Sequence, residues 1–181
     1  TELGLPQIKR QVEALRGELF LETTPGFGTL MAMQIPISLS ASDHARAGVL
    51  IVDDHDLLRQ GLRQLIAETD DFVCVGEAVD IADALRQFEL TRPNLVVMDV
   101  KLPGGSGIEA TRQIVQRYPD SRIIIYTYHA DETYLEQAMH AGAKGYLLKS
   151  DHSRLILTAL RTVLDNGVFV APALTDAWAK L

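Results

Sequence analysis

The chain has 181 residues, 47% of them hydrophobic, and a net charge of −7. That apolar content is enough for a core and excludes wholesale disorder, while the acidic balance argues against direct nucleic-acid binding by this chain, which needs clustered Lys and Arg. No apolar run is long enough to span a membrane and no signal peptide opens the chain, so no membrane insertion is expected and the cytoplasm is the expected compartment.

The N-terminal stretch "LPQIKRQVEALRG" sets Leu5, Ile8, Val12 and Leu15 on one helical stripe, with Pro6 tolerable in the first turn and Gly17 as a stop. "ELFLETTPGFGTLMAMQIPIS" then predicts two strands around a Pro-Gly turn, with Met31, Met33, Ile35 and Ile37 alternating. A helix and one hairpin make too small a unit to be stable alone. Residues 1–38 are therefore either the remnant of a larger domain or a unit that docks on something, and residues 39–47 read as a linker.

From residue 48 the pattern changes. Apolar runs at 49–52, 72–78, 95–98, 123–127 and 145–149 alternate with segments of helical spacing. The helical stripes include Leu58, Leu62, Leu65 and Ile66, then Ile81, Ala84, Leu85 and Phe88, and finally Leu155, Ile156, Ala159 and Leu160. Cys74, the only cysteine, lies in the second run and reads as a small buried hydrophobe, which leaves no internal disulfide and no cysteine-based zinc site. Five β–α units with nearly continuous apolar strands predict an α/β fold over residues 48–170. The expected architecture is a flavodoxin-like, doubly wound, five-stranded parallel sheet. Residues 171–181 read as a C-terminal tail.

Ligands of such sheets bind beyond the carboxyl ends of the strands, where the strand order switches. Asp53 and Asp54 follow the first run, Asp99 the third, Thr127 closes the fourth and Lys149 the fifth. Taken singly, each has a bland explanation: a helix cap, a core hydroxyl, a solvated lysine. Their joint arrival at one sheet edge is what carries chemistry. Three carboxylates there need a cation, and an all-oxygen set suits magnesium. A metal, an ammonium and a hydroxyl around one carboxylate would stabilise a phosphoryl group in transfer, with Asp99 as the nucleophile forming an acyl phosphate.

At these residues a resemblance emerges. "VDDHD", "LVVMDVKLPGGSGIEA", "YTYH" and "GAKGYLLKS" resemble, in order, the response-regulator receiver domain of bacterial two-component phosphorelays. The resemblance implies Asp99 as phosphoacceptor, Asp54 as a direct Mg2+ ligand assisted by Asp53, and the Lys101 backbone carbonyl as a third protein contact. It further implies Thr127 as the switch hydroxyl, Tyr146 as the switch aromatic and Lys149 as the phosphate-pairing lysine. Tyr128, beside Thr127, would narrow access to Asp99. "TYHADETYLEQAMHAGAKGYLLKS" and "NGVFVAPAL" are similar to receivers that usually precede a helix-turn-helix domain.

"ELGLPQIKRQVEALRGELFLETTPGFGTLMAMQIPIS" resembles the C-terminal end of a histidine-kinase ATP-binding domain, with Glu2 where a glycine is expected. Most of that domain's nucleotide-binding parts are absent, so ATP-dependent kinase activity is not expected of this chain. The leading expectation is a phosphorelay receiver behind a kinase remnant, as in hybrid sensor kinases. The alternative is the receiver half of a DNA-binding transcription regulator. Either would take its phosphoryl group from a phosphohistidine-bearing kinase or phosphotransfer domain, and a homodimer is compatible with both. A phosphatase of related fold would need an acid two residues after Asp99, where Lys101 stands.

Overall fold

The computed structural model describes residues 18–24, 28–34 and 46–181. It separates into two units, Thr1–His44 and Ala45–Leu181. In the first, β1 (Glu18–Thr24) and β2 (Gly28–Gln34) pair antiparallel, with Glu18 opposite Gln34 and Thr24 opposite Gly28. The helix read over residues 5–15, Ile35, Ile37 and the linker through residue 45 lie outside the described residues.

The second unit alternates strands and helices from its first residues. In chain order they are β3 (Ala47–Val52), α1 (Asp56–Ala67), β4 (Phe72–Ala78), α2 (Ile81–Thr91) and β5 (Leu95–Met98). A small hairpin follows, β6 (Lys101–Leu102) and β7 (Gly105–Ser106), then α3 (Gly107–Arg117), β8 (Ile123–Thr127), α4 (Glu132–His140), β9 (Gly145–Leu148) and α5 (Leu155–Leu164). Short polar side chains start three of the helices. Asp80, Ser106 and Asp131 each accept a hydrogen bond from a backbone N–H of the first turn, which would otherwise be unpaired.

The main sheet is parallel throughout, in the order β10-β9-β8-β5-β3-β4. It has six strands where the sequence predicts five, because Phe169–Val170 (β10) pairs with Gly145 and Tyr146 of β9. A two-residue strand shows no periodicity, and only its partner defines it. The Ala171 N–H extends the pairing to the Tyr146 carbonyl at 2.7 Å. A 3-10 turn (Pro172–Leu174) and α6 (Thr175–Trp178) follow. Ala171, Leu174 and Ala177 are buried, so residues read as a tail contribute to the core.

Successive strand residues point to opposite faces, and the core divides accordingly. Leu50, Val52, Val96, Met98, Ile123 and Ile125 pack on the side of α2, α3 and α4. Val49, Ile51, Leu95, Val97, Ile124 and Leu147 pack on the side of α1 and α5. Both faces are covered, which is why the central strands read as unbroken apolar runs. At the far edge the register of β4 slips: Val49 faces Cys74 and Leu50 faces Gly76, leaving Val75 as a bulge.

Candidate functional site

The strand register explains how residues far apart in sequence meet. Val52 is level with Met98, so the next residues, Asp53 and Asp99, leave adjacent strands together. Thr127 ends β8, the neighbour of β5, and is level with Leu148 of β9, which brings Lys149 to the same edge two strands from Asp99. Chain order reverses between β3 and β5, where β4 lies on one side of β3 and all later strands on the other. The cluster therefore stands at the switch point of the sheet.

Asp53, Asp99, Thr127 and Lys149 are all buried. The Lys149 Nζ lies 2.6 Å from Asp53 Oδ2 and 2.6 Å from Asp99 Oδ2, bridging the two carboxylates. Burial opposes the charge on Lys149, but its hydrogen bonds to Asp53 and Asp99, reinforced by their charges, outweigh that effect and raise its pKa above the usual lysine range. The other Asp99 oxygen accepts the Val100 N–H at 2.7 Å, which orients the carboxylate.

Asp54 and His55 are the exposed members, and the ligand atoms of Asp53, Asp54, His55 and Asp99 lie within 4.8 Å of one another. Three carboxylates against one ammonium leave two formal negative charges, which suits a divalent cation. The sequence predicts an all-oxygen set without histidine. The structure adds His55, whose Nδ1 lies 2.7 Å from Asp54 Oδ1 and 3.1 Å from Asp53 Oδ1. Lys101 stands two residues beyond Asp99 at the start of β6, its side chain exposed.

Two further expected residues meet through a third. The Thr127 Oγ1 accepts the His129 N–H at 3.4 Å, and the Tyr146 hydroxyl donates to the His129 carbonyl at 2.7 Å. The His129 ring lies against Tyr134, with centroids 4.7 Å apart. Tyr146 is fully buried, and burial raises its phenol well above the usual range. Tyr128 is exposed, and the Lys149 ammonium lies 5.4 Å from its ring centroid, so the ring covers the site from the lysine side.

Gly107 starts α3 directly beneath this cluster. A Cβ there would lie 1.8 Å from the Asp99 carbonyl oxygen, so the close packing of α3 on β5 requires glycine. Arg59 of α1 was not singled out from the sequence. It is buried, and its Nη1 donates to the Asp53 carbonyl at 2.8 Å. A cavity of about 490 Å3 on the outer side of β4 includes Arg46, Arg63, Cys74 and Glu77 but none of the clustered acids.

A parallel sheet with a lysine-bridged pair of aspartates at its switch point defines the class, and the chain belongs to the response regulator receiver domain family, whose sequence profile matches residues 49–161. Among curated proteins it is similar to the transcriptional regulatory protein DegU of Brevibacillus brevis, 34% identical over 132 residues that make up 73% of this chain and 56% of that protein. It is 44% identical over 101 residues to the uncharacterized transcriptional regulatory protein YhcZ of Bacillus subtilis, which is 56% of this chain and 47% of that one. The chain thus spans about half the length of these relatives. A two-component response regulator of the LuxR family from Aurantimonas sp. SI85-9A1 superposes with a TM-score of 0.72 at 37% identity, covering 75% of this chain and 97% of that one. Among the described residues no helix is long and apolar enough to cross a membrane.

Proposed function

We propose that this chain carries the receiver of a two-component transcription regulator and accepts a phosphoryl group on Asp99 from a phosphohistidine-bearing kinase or phosphotransfer domain. The observation that carries the reading is the Lys149 ammonium held between Asp53 and Asp99 at the switch point of the sheet. An Asp99 oxygen attacks phosphorus, the P–N bond breaks, and its electron pair leaves with the imidazole. Lys149 and the Thr127 hydroxyl then face the incoming phosphoryl oxygens, one as a fixed charge and one as a donor. Asp54 and Asp99, with Asp53 and the Lys101 carbonyl, would hold Mg2+. When bound, the ion supplies charge neutralisation among the carboxylates and phosphoryl oxygens. Phosphorylation draws Thr127 towards Asp99, and its link through His129 passes that movement to Tyr146 and α4.

The similarity to transcriptional regulatory proteins supports the transcription-regulator reading over the hybrid-kinase one. The kinase-remnant reading of residues 1–38 rests on their sequence motifs. A small phosphodonor with magnesium, followed by mass spectrometry, tests the assignment. Label is expected on Asp99 and absent from Asp99→Asn; label unchanged in that variant overturns it. A helix-turn-helix encoded downstream in the same reading frame would support the output, whereas a phosphorylatable histidine helix upstream would restore the hybrid-kinase reading.

A further inference from the structure

Arginine is seldom buried without partners, yet Arg59 is only 8% exposed. Its guanidinium turns inward and divides its donors among three elements. Nη1 donates to the Asp53 carbonyl at 2.8 Å, Nε to Glu77 of β4 at 3.4 Å, and Nη2 to Asp56 at the start of α1. The two carboxylates offset the buried charge. The third bond has a different consequence.

β3 ends at Val52, so Asp53 stands just past the strand. Its N–H is taken by the Ala78 carbonyl at 3.1 Å. Its carbonyl belongs to the rigid peptide plane shared with Asp54. Without that anchor the ψ torsion of Asp53 is free to turn, and the backbone that carries Asp54 would shift relative to Asp99 and Lys149. We infer that Arg59 is a positioning residue for the cation site, locking the Asp53–Asp54 peptide so that the Asp54 carboxylate faces Asp99. A neutral donor would suffice to satisfy a lone carbonyl. A planar fork anchored on Glu77 and Asp56 also fixes the angle of approach. The inference rests on the magnesium reading above and concerns how the backbone of that site is held.

The test is Mg2+ binding by calorimetry to the full chain and to Arg59→Lys, Arg59→Gln, Glu77→Gln and Asp54→Ala, at a temperature where circular dichroism shows each folded. Arg59→Gln is expected to bind about tenfold more weakly, with Arg59→Lys close to it, and Glu77→Gln to stay within about twofold of wild type. In the metal-free protein the Asp54 amide nitrogen resonance should move in both Arg59 variants and hold still in Glu77→Gln. If Arg59→Gln fails to fold, Arg59→Lys decides. Wild-type affinity together with an unmoved Asp54 amide resonance in the Arg59 variants overturns the inference and leaves Arg59 a packing residue. Absence of magnesium binding in wild type refutes the proposed function instead, and the metal-free resonances then judge Arg59 alone.

Discussion

Replacing Gly107 with alanine adds one methyl group and should reverse the usual sign of a helix substitution. In an open helical position the change stabilises by up to about 1 kcal/mol, because alanine favours helix and restricts the unfolded chain. At Gly107 the new Cβ would lie 1.8 Å from the Asp99 carbonyl oxygen and 2.9 Å from Met98 Cγ. The first is backbone and cannot rotate away, so α3 must lift from β5. Overpacking of this kind costs about 1–3 kcal/mol, and losing the Gly107 N–H bond to the Val100 carbonyl, 2.8 Å long, adds about 1 kcal/mol. Set against the helix gain of up to about 1 kcal/mol, the expected net is a loss of about 1–3 kcal/mol, lowering the melting temperature by about 3–9 °C. Gly61, in the middle of α1, is the control, since nothing lies within 4 Å of its Cβ position. Thermal melts by circular dichroism should show Gly61→Ala at or above wild type and Gly107→Ala well below. A Gly107→Ala protein that melts as high as wild type and still phosphorylates Asp99 would refute the steric argument.

Lys149→Met leaves Asp53 and Asp99 facing each other without their shared cation, and should cost about 3–5 kcal/mol by urea unfolding without metal; added magnesium should raise its melting temperature more than that of wild type. Leu174→Ala should cost about 2–4 kcal/mol if the segment after β10 is core, and a neutral result in the same assay would return it to a tail. Asp71 accepts from Arg161 across a half-exposed surface, and that hydrogen bond lowers its pKa from 3.8. A depressed carboxylate pKa gives stability that is present above the ordinary value and lost as pH falls through the lowered one. Arg161→Ala should therefore cost at most about 0.5 kcal/mol at neutral pH, after allowing for solvent screening, and the difference should close below pH 3.8 in a melting series.

The strands at 95–98 and 123–127 were legible because burial on both faces leaves continuous apolar runs with sharp polar ends, while the edge strand at 72–78 is buried mainly at its ends and was legible from its aromatic and β-branched residues. The cluster was legible for the same reason: Asp53 and Asp99 follow directly on a run and Lys149 closes one, so naming the strands placed the acids and the lysine. Arg59 was hidden because an arginine on an amphipathic helix reads as solvent-facing, and partners beyond its own helix, the Asp53 carbonyl and Glu77, draw it inward. His55 reads from the sequence as solvated or structural, because its bonds to Asp53 and Asp54 depend on the turn into α1 rather than on any repeat. β10 escaped because two residues have no period, and its identity lies in β9.

The ends of the main sheet have a consequence for life in a crowded solution. An open sheet offers an unpaired row of N–H and C=O groups at each side, a template for another molecule's strand. Here β9, a fully buried strand, is shielded by β10, which offers only two residues to a neighbour. On the other side β4 carries the bulge at Val75, which breaks the regular spacing that an incoming strand would need. Each flank is blunted by a different device, so growth of the main sheet by strand addition is disfavoured in both directions.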